Sequence, residues 1–242
     1  MIYERNEVKS EAFFLRFLWG PRQETVEKCA ERLNSFLTAL KAIDRAFYTL
    51  HKGNLNGKQF HVPIAPEEIT RWLREGVNRK DIGKAVIPEL GYAVTLIFDS
   101  DDSFITLRIN CGVYSPWVTN VCAIEFPTEG RTADRILQSD TMIRIAKSTI
   151  NSWNPDHGVI TSHQCSELLS PKTSLSEAGW VTYLSGRHRP LTQAPEQLRS
   201  EDVGEGRLFL ATSERFSSRN SDHMKSVFAL STFLISDDTA VL

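Results

Sequence analysis

The sequence predicts an α+β protein in which a largely antiparallel (mixed) sheet carries amphipathic helices packed against it. Three observations lead there. Ile105, Leu107, Ile109 and Cys111 alternate with Thr106, Arg108 and Asn110, the period of a strand with one wet face. The five residues Asp99-Ser100-Asp101-Asp102-Ser103 separate this run from the apolar, β-rich residues 92–98, and their number and turn chemistry join the two runs as an antiparallel hairpin. Val26, Cys29, Ala30, Leu33, Phe36, Leu37, Leu40 and Ile43 recur near every 3.6 residues, with Glu24, Glu27, Lys28, Glu31 and Arg32 on the opposite face.

The remaining elements follow in chain order. Residues 13–19, apolar except for Arg16, read as a buried strand. Gly20-Pro21 then opens the long helix, since proline at the first helical position loses no hydrogen bond. Residues 44–62 are less regular, and 51–57 read as an exposed loop. A short helix begins at Pro66, with Ile69, Trp72 and Leu73 as its stripe and Gly76 as its stop. Residues 78–83 are polar and irregular, and 121–126 form a third strand of the meander. Thr132 caps a long helix whose stripe is Ile136, Leu137, Met142, Ile143, Ala146, Thr149, Ile150 and Trp153; Ser139-Asp140-Thr141 marks a kink or a second start. Asn154-Pro155 ends it. Residues 158–163 are a weak strand, 166–178 a loop or short helix, and 179–185 a strand. Residues 186–206, dotted with proline, are the longest irregular segment. A strand over 207–212 precedes a last helix, capped by Ser221 or Asp222, with Met224, Val227, Phe228 and 231–234 facing inward and 237–239 fraying. One domain over 1–242 is expected, with a division into two lobes near residue 130 as the alternative.

Composition narrows the function classes. With 41% hydrophobic and 24% charged residues the chain builds a sizeable core. A net charge of −2 argues against direct binding of nucleic acid, which calls for a basic face. The N-terminal residues show no signal peptide, and no stretch approaches the roughly 20 apolar residues of a membrane span. Cys29, Cys111, Cys122 and Cys165 are widely spaced without a C-x-x-C pair, as buried thiols of a reduced compartment are. A cytoplasmic protein is expected.

A catalytic site is hard to find. There is no G-x-S-x-G elbow, and Gly204-Glu205-Gly206 precedes a strand rather than a helix, so no phosphate cradle forms. His163 and Cys165 share a face only if they lie on a strand, and a structural zinc site needs four ligands. Asp99, Asp101 and Asp102 resemble a calcium loop in composition alone. Arg187-His188-Arg189 is too small a basic patch to hold nucleic acid. No cofactor and no metal are expected. Trp19, Trp72, Trp153 and Trp180 read as core anchors, whereas Trp117 in its Ser115-Pro116 loop reads as partly exposed, as interface anchors are. Binding is favoured over catalysis. The alternatives are a small hydrolase or transferase using His157, His163 or His223 as a base, and a chaperone for an effector.

Four motifs follow in order: Leu18-Trp19-Gly20-Pro21-Arg22 before its helix, Asn78-Arg79-Lys80-Asp81-Ile82-Gly83 with Ile87-Pro88-Glu89-Leu90-Gly91, Gly179-Trp180-Val181-Thr182-Tyr183-Leu184, and 208–216 through Asp222-His223. Their order and spacing resemble the immunity protein 52 family of bacterial polymorphic-toxin systems. The resemblance spans residues 13 to 235. It implies a non-enzymatic α+β protein that binds and neutralises a cognate toxin, typically one with a restriction-endonuclease-like nuclease domain delivered for example by a type VI secretion system. Such a nuclease holds phosphates in a basic cleft, so clustered carboxylates on the inhibitor steer association. Two clusters qualify as contacts: Asp99, Asp101 and Asp102 on the hairpin, and Glu196, Glu201, Asp202 and Glu205 in the long loop.

Overall fold

The computed structural model describes residues 10–169, 178–187 and 198–238, with side chains through Leu234. Its centre is a ten-stranded, wholly antiparallel sheet in the order β3-β2-β4-β5-β6-β1-β7-β8-β10-β9. The strands are β1 (Phe13–Trp19), β2 (Thr49–Lys52), β3 (Gln59–His61), β4 (Tyr92–Ser100), β5 (Ser103–Cys111), β6 (Asn120–Glu125), β7 (His157–Ser162), β8 (Val181–Ser185), β9 (Arg199–Val203) and β10 (Gly206–Leu210). The helices are α1 (Val26–Lys41), α2 (Pro66–Glu75), α3 (Gly130–Ile136), α4 (Ser139–Trp153), α5 (His163–Leu169) and α6 (Ser221–Asp238). The α+β class with an antiparallel sheet is therefore observed; among the described residues no strand pair is parallel.

The apolar run 13–19 earns its continuity by position. It lies between β6 and β7, with Leu15 opposite both Ile124 and Ile160. Phe13, Leu15, Phe17 and Trp19 share a face with Ile105, Leu107 and Ile109 of β5 and with Val94, Leu96 and Phe98 of β4, all of them buried. Helices α1 and α4 cover that face: Trp153 stacks on Trp19 at 5.5 Å and meets Phe36 edge-on at 6.4 Å. The reverse face, carrying Arg16, Leu18, Thr95, Ile97, Thr106 and Arg108, is half-buried to exposed. Further along, Phe233 of α6 packs on Phe209 of β10 at 6.0 Å, so this helix lies on the side away from Leu208 and Leu210.

Several expectations need correction. Helix α1 starts at Val26, not at Pro21, because Thr25 is the better cap: its Oγ1 accepts from Lys28 N at 3.2 Å. Residues 20–24 stay extended, with Arg22 N donating to Val113 O at 2.7 Å. The irregular stretch 44–62 contains the β2–β3 hairpin, and the irregular 186–206 contains edge strand β9. The helix after residue 130 is two helices, with the second start at Ser139 as the sequence indicated. Thr132 is not a cap but a buried residue inside α3. At α6 the cap is Asn220, whose Oδ1 accepts from Asp222 N at 2.9 Å. Phe228 is half-exposed while Leu230 takes the inward position, and Asp237 and Asp238 remain helical.

Candidate functional site

The Trp19-Gly20-Pro21-Arg22 corner is a structural joint. Arg22 Nη2 donates to Trp153 O at 2.6 Å, Arg32 Nη1 to Ser152 O at 2.8 Å, and Arg187 Nη2 to Asn154 O at 2.9 Å. Three guanidinium groups thus satisfy the open carbonyls at the C-terminus of α4, where cations are favoured. Arg22 also lies 5.3 Å over the Trp19 ring, and burial lowers its pKa. Asn120, fully buried at the start of β6, closes the joint. Its Oδ1 accepts from Val113 N at 2.9 Å, and its Nδ2 donates to Gly20 O at 2.8 Å and Val113 O at 3.0 Å. Residues 112–119 are thereby held with Trp117 outward, 90% exposed. The sequence showed no sign of Asn120, since its three partners come from two other segments.

Each of the described carboxylates singled out in the sequence has a side-chain partner. At the β4–β5 hairpin only Asp101 and Asp102 form the turn, since pairing continues to Ser100 and Ser103. Asp101 accepts from Arg45 Nη2 at 2.5 Å, and Asp99 lies 3.9 Å from His51. Asp102 reaches the start of α3, accepting from Arg131 N at 2.7 Å and from Thr132 Oγ1 at 2.6 Å. The hydrogen bond from Thr132, then those from the Arg131 and Thr132 amides, hold its carboxyl below the usual value despite partial desolvation. Nearby, Asp44 is desolvated, but hydrogen bonds from Arg135 and Ala46 N outweigh that and lower its pKa.

On the other side, Glu201 pairs with Lys147 at 2.8 Å, Asp202 with Arg207 at 2.9 Å and Glu205 with Arg187 at 3.4 Å. Glu196 lies outside the described residues, as do His188 and Arg189. Glu201 and Asp202 also have a structural use: β9 is an edge strand, and charged side chains keep such an edge from pairing with another chain.

The histidines do not converge. His223 is buried and stacked on Phe216, with Nδ1 accepting from Ser217 N at 3.1 Å and Nε2 3.3 Å from Glu214. His163 packs on Phe14 and lies 3.4 Å from Glu125. It opens α5 with Cys165, so the two do not share a strand face as the spacing suggested. Two open clefts of about 520 and 540 Å³, lined by Asp44, Arg45 and Arg135 and by Glu31, Asn34 and Pro66, contain no histidine. Among the described residues no group of three or more His, Cys, Asp or Glu side chains is placed to hold a metal, and no helix is long and apolar enough to cross a membrane.

The described residues thus form a wide antiparallel sheet with ion-paired clusters on its surface. Comparison with known families gives the class directly. The model of immunity protein 52 matches residues 11–235, and the chain belongs to that family. Among solved structures it is similar to the Pseudomonas aeruginosa T6SS protein PA0821, with 10% sequence identity, a TM-score of 0.55, and coverage of 93% of this chain and 76% of that one. At that identity the likeness is one of fold. No curated protein matches the chain.

Proposed function

We propose that this protein neutralises a cognate toxin by binding it stoichiometrically in the cytoplasm of the producing cell, and that the toxin is a nuclease of the restriction-endonuclease type. The observation that carries the reading is the match to an immunity family over residues 11–235. The T6SS origin of the protein similar in fold supports a secretion-linked toxin. Binding rather than turnover is supported by His163 and His223 each meeting a carboxylate outside both of the clefts described among these residues. This reading takes the chain as a single unit, which is supported by β1 lying between β6 and β7, strands from either side of residue 130.

A nuclease surface offers two kinds of charge, basic flanks for phosphates and carboxylates at the metal centre. In this reading Glu201, Asp202 and Glu205 meet a basic flank, with Asp99 and Asp101 as a second contact. Their internal ion pairs cancel much of their field, so their share is orientation more than affinity. The test is co-expression with the toxin encoded beside the gene. Growth of the doubly expressing cells and intact cellular nucleic acid are expected; continued killing refutes the immunity role, and protection from a toxin that leaves nucleic acid intact refutes its nuclease part.

A further inference from the structure

Residues 77–91 form a finger that no core requirement explains. Lys80 N donates to Ala85 O and Ile87 N to Asn78 O, both at 2.9 Å, and a turn at Gly83 and Lys84, both with positive φ, closes the tip. Every residue from Asn78 to Val86 is exposed, and Ile82 is 92% exposed. The finger is tied at its base to the Trp117 loop, where Tyr114 N and Ser115 N both donate to Glu89 O at 3.0 Å. Ile82, Val86, Trp117 and Val118 are four of the nine large hydrophobic side chains exposed among the described residues, and Ile82 and Trp117 are the two most exposed. Scattered apolar side chains need no explanation, but a group on two joined loops does. At about 3.3 Å per residue, at most roughly 17 Å separates the tip at Lys84 from the base at Glu89, so both loops fit within one standard interface.

Its charge is the opposite of the clusters read from the sequence. Arg79, Lys80 and Lys84 stand against the single carboxylate of Asp81 in residues 78–87. Neither Lys80 nor Lys84 has an ion-pair partner among the described residues, while Glu201, Asp202 and Glu205 all do. Unpaired cations around exposed aliphatic groups are complementary to an apolar hollow rimmed by carboxylates.

We propose that this finger, with Trp117 beside it, is the anchor by which the protein engages its toxin, Ile82 and Trp117 entering an apolar hollow while Lys80 and Lys84 meet a carboxylate rim. This deepens the toxin-binding reading and rests on it. A carboxylate-lined metal centre of a nuclease is the partner chemistry that fits. The loss from removing such an anchor falls mainly on dissociation for Ile82 and Trp117 and on association for the lysines.

The experiment titrates the full-length chain with the purified toxin encoded beside the gene. It compares the wild type with Ile82→Asp/Trp117→Ala, Lys80→Glu/Lys84→Glu and, as a control at an exposed apolar side chain of α5, Leu168→Ala. Each finger pair is expected to weaken binding by about 30-fold or more, as buried anchors do. Both pairs should also abolish growth protection, with Leu168→Ala within threefold and all melting curves superimposed on the wild type. If the wild type binds and the finger pairs bind within threefold of it, the finger is not the anchor and the toxin-binding function stands. If the wild type itself fails to bind, the toxin-neutralising reading falls and the finger assignment falls with it.

Discussion

Replacing Asn120 by alanine tests whether the joint at the end of β1 is held as described. The side chain is fully buried and makes three hydrogen bonds, at 2.8, 2.9 and 3.0 Å. Alanine leaves the Val113 amide buried without its acceptor, at about 1–3 kcal/mol, and removes the donor from two carbonyls, at about 0.5–1 kcal/mol each. The total is about 3 kcal/mol, which for a chain of this size lowers Tm by about 6–12 °C. Differential scanning calorimetry reads that shift, and hydrogen exchange at the Val113 amide locates it. Asn120→Asp keeps the acceptor but sets a carboxylate against Gly20 O and Val113 O, so its folded pKa is raised. Its destabilisation is therefore largest at neutral pH and eases as pH falls and the group takes a proton. An alanine variant melting within about 2 °C of the wild type, or an aspartate variant whose deficit does not depend on pH, refutes the account.

Three further predictions concern the scaffold. Gly91 has φ +58°, and a Cβ there would lie 2.3 Å from Cys111 O, whereas Gly53 has φ +77° with nothing within 4 Å. Gly53→Ala should cost only the backbone penalty of about 1–2 kcal/mol, and Gly91→Ala should lose markedly more in urea unfolding; equal losses would contradict the packing at the finger's base. Asp102, through its hydrogen bond from Thr132, and Asp44, through Arg135 and the Ala46 amide against its burial, both have folded pKa values below the ordinary 3.8. Their contribution is present above that value and is lost as pH falls through the lower folded ones, so the urea midpoint should drop below about pH 4, and less steeply in an Asp44→Asn/Asp102→Asn variant. All four cysteines are buried, with the Cys111 thiol pushed up by its hydrogen bond to Cys29 and by burial, and Cys122 by burial. A chromogenic thiol reagent should therefore find no fast-reacting group in the native protein and four in urea.

The elements read most accurately are those whose pattern is set by burial on one side. The alternation in β5 and the 3.6-residue stripe of α1 survive because each lies against the same core face, where a shift of one residue would bury Thr106 or Arg108. Short edge strands carry no such pattern. Strand β3 spans Gln59–His61, β9 is Arg-Ser-Glu-Asp-Val, and both fall in stretches that read as irregular because their pairing comes from a neighbour rather than from their own side chains. The start of α1 was misplaced for a related reason: proline permits a helix, but Arg22 is drawn instead to Val113 and to the end of α4.

By itself the sequence determined the α+β class, the helical and meander elements, the exposure of Trp117 and the family, because all of these rest on local period, local chemistry or the order of motifs along the chain. Tertiary structure alone decided what the charges do. Asp101 pairs with Arg45, 56 residues away, Glu201 with Lys147, 54 away, and Asp102 holds the start of α3. It also decided which cations have no ion-pair partner among the described residues, on a finger whose sequence reads as polar and irregular. Spacing along the chain does not carry that information, since electrostatic partners are chosen by distance in space and by burial.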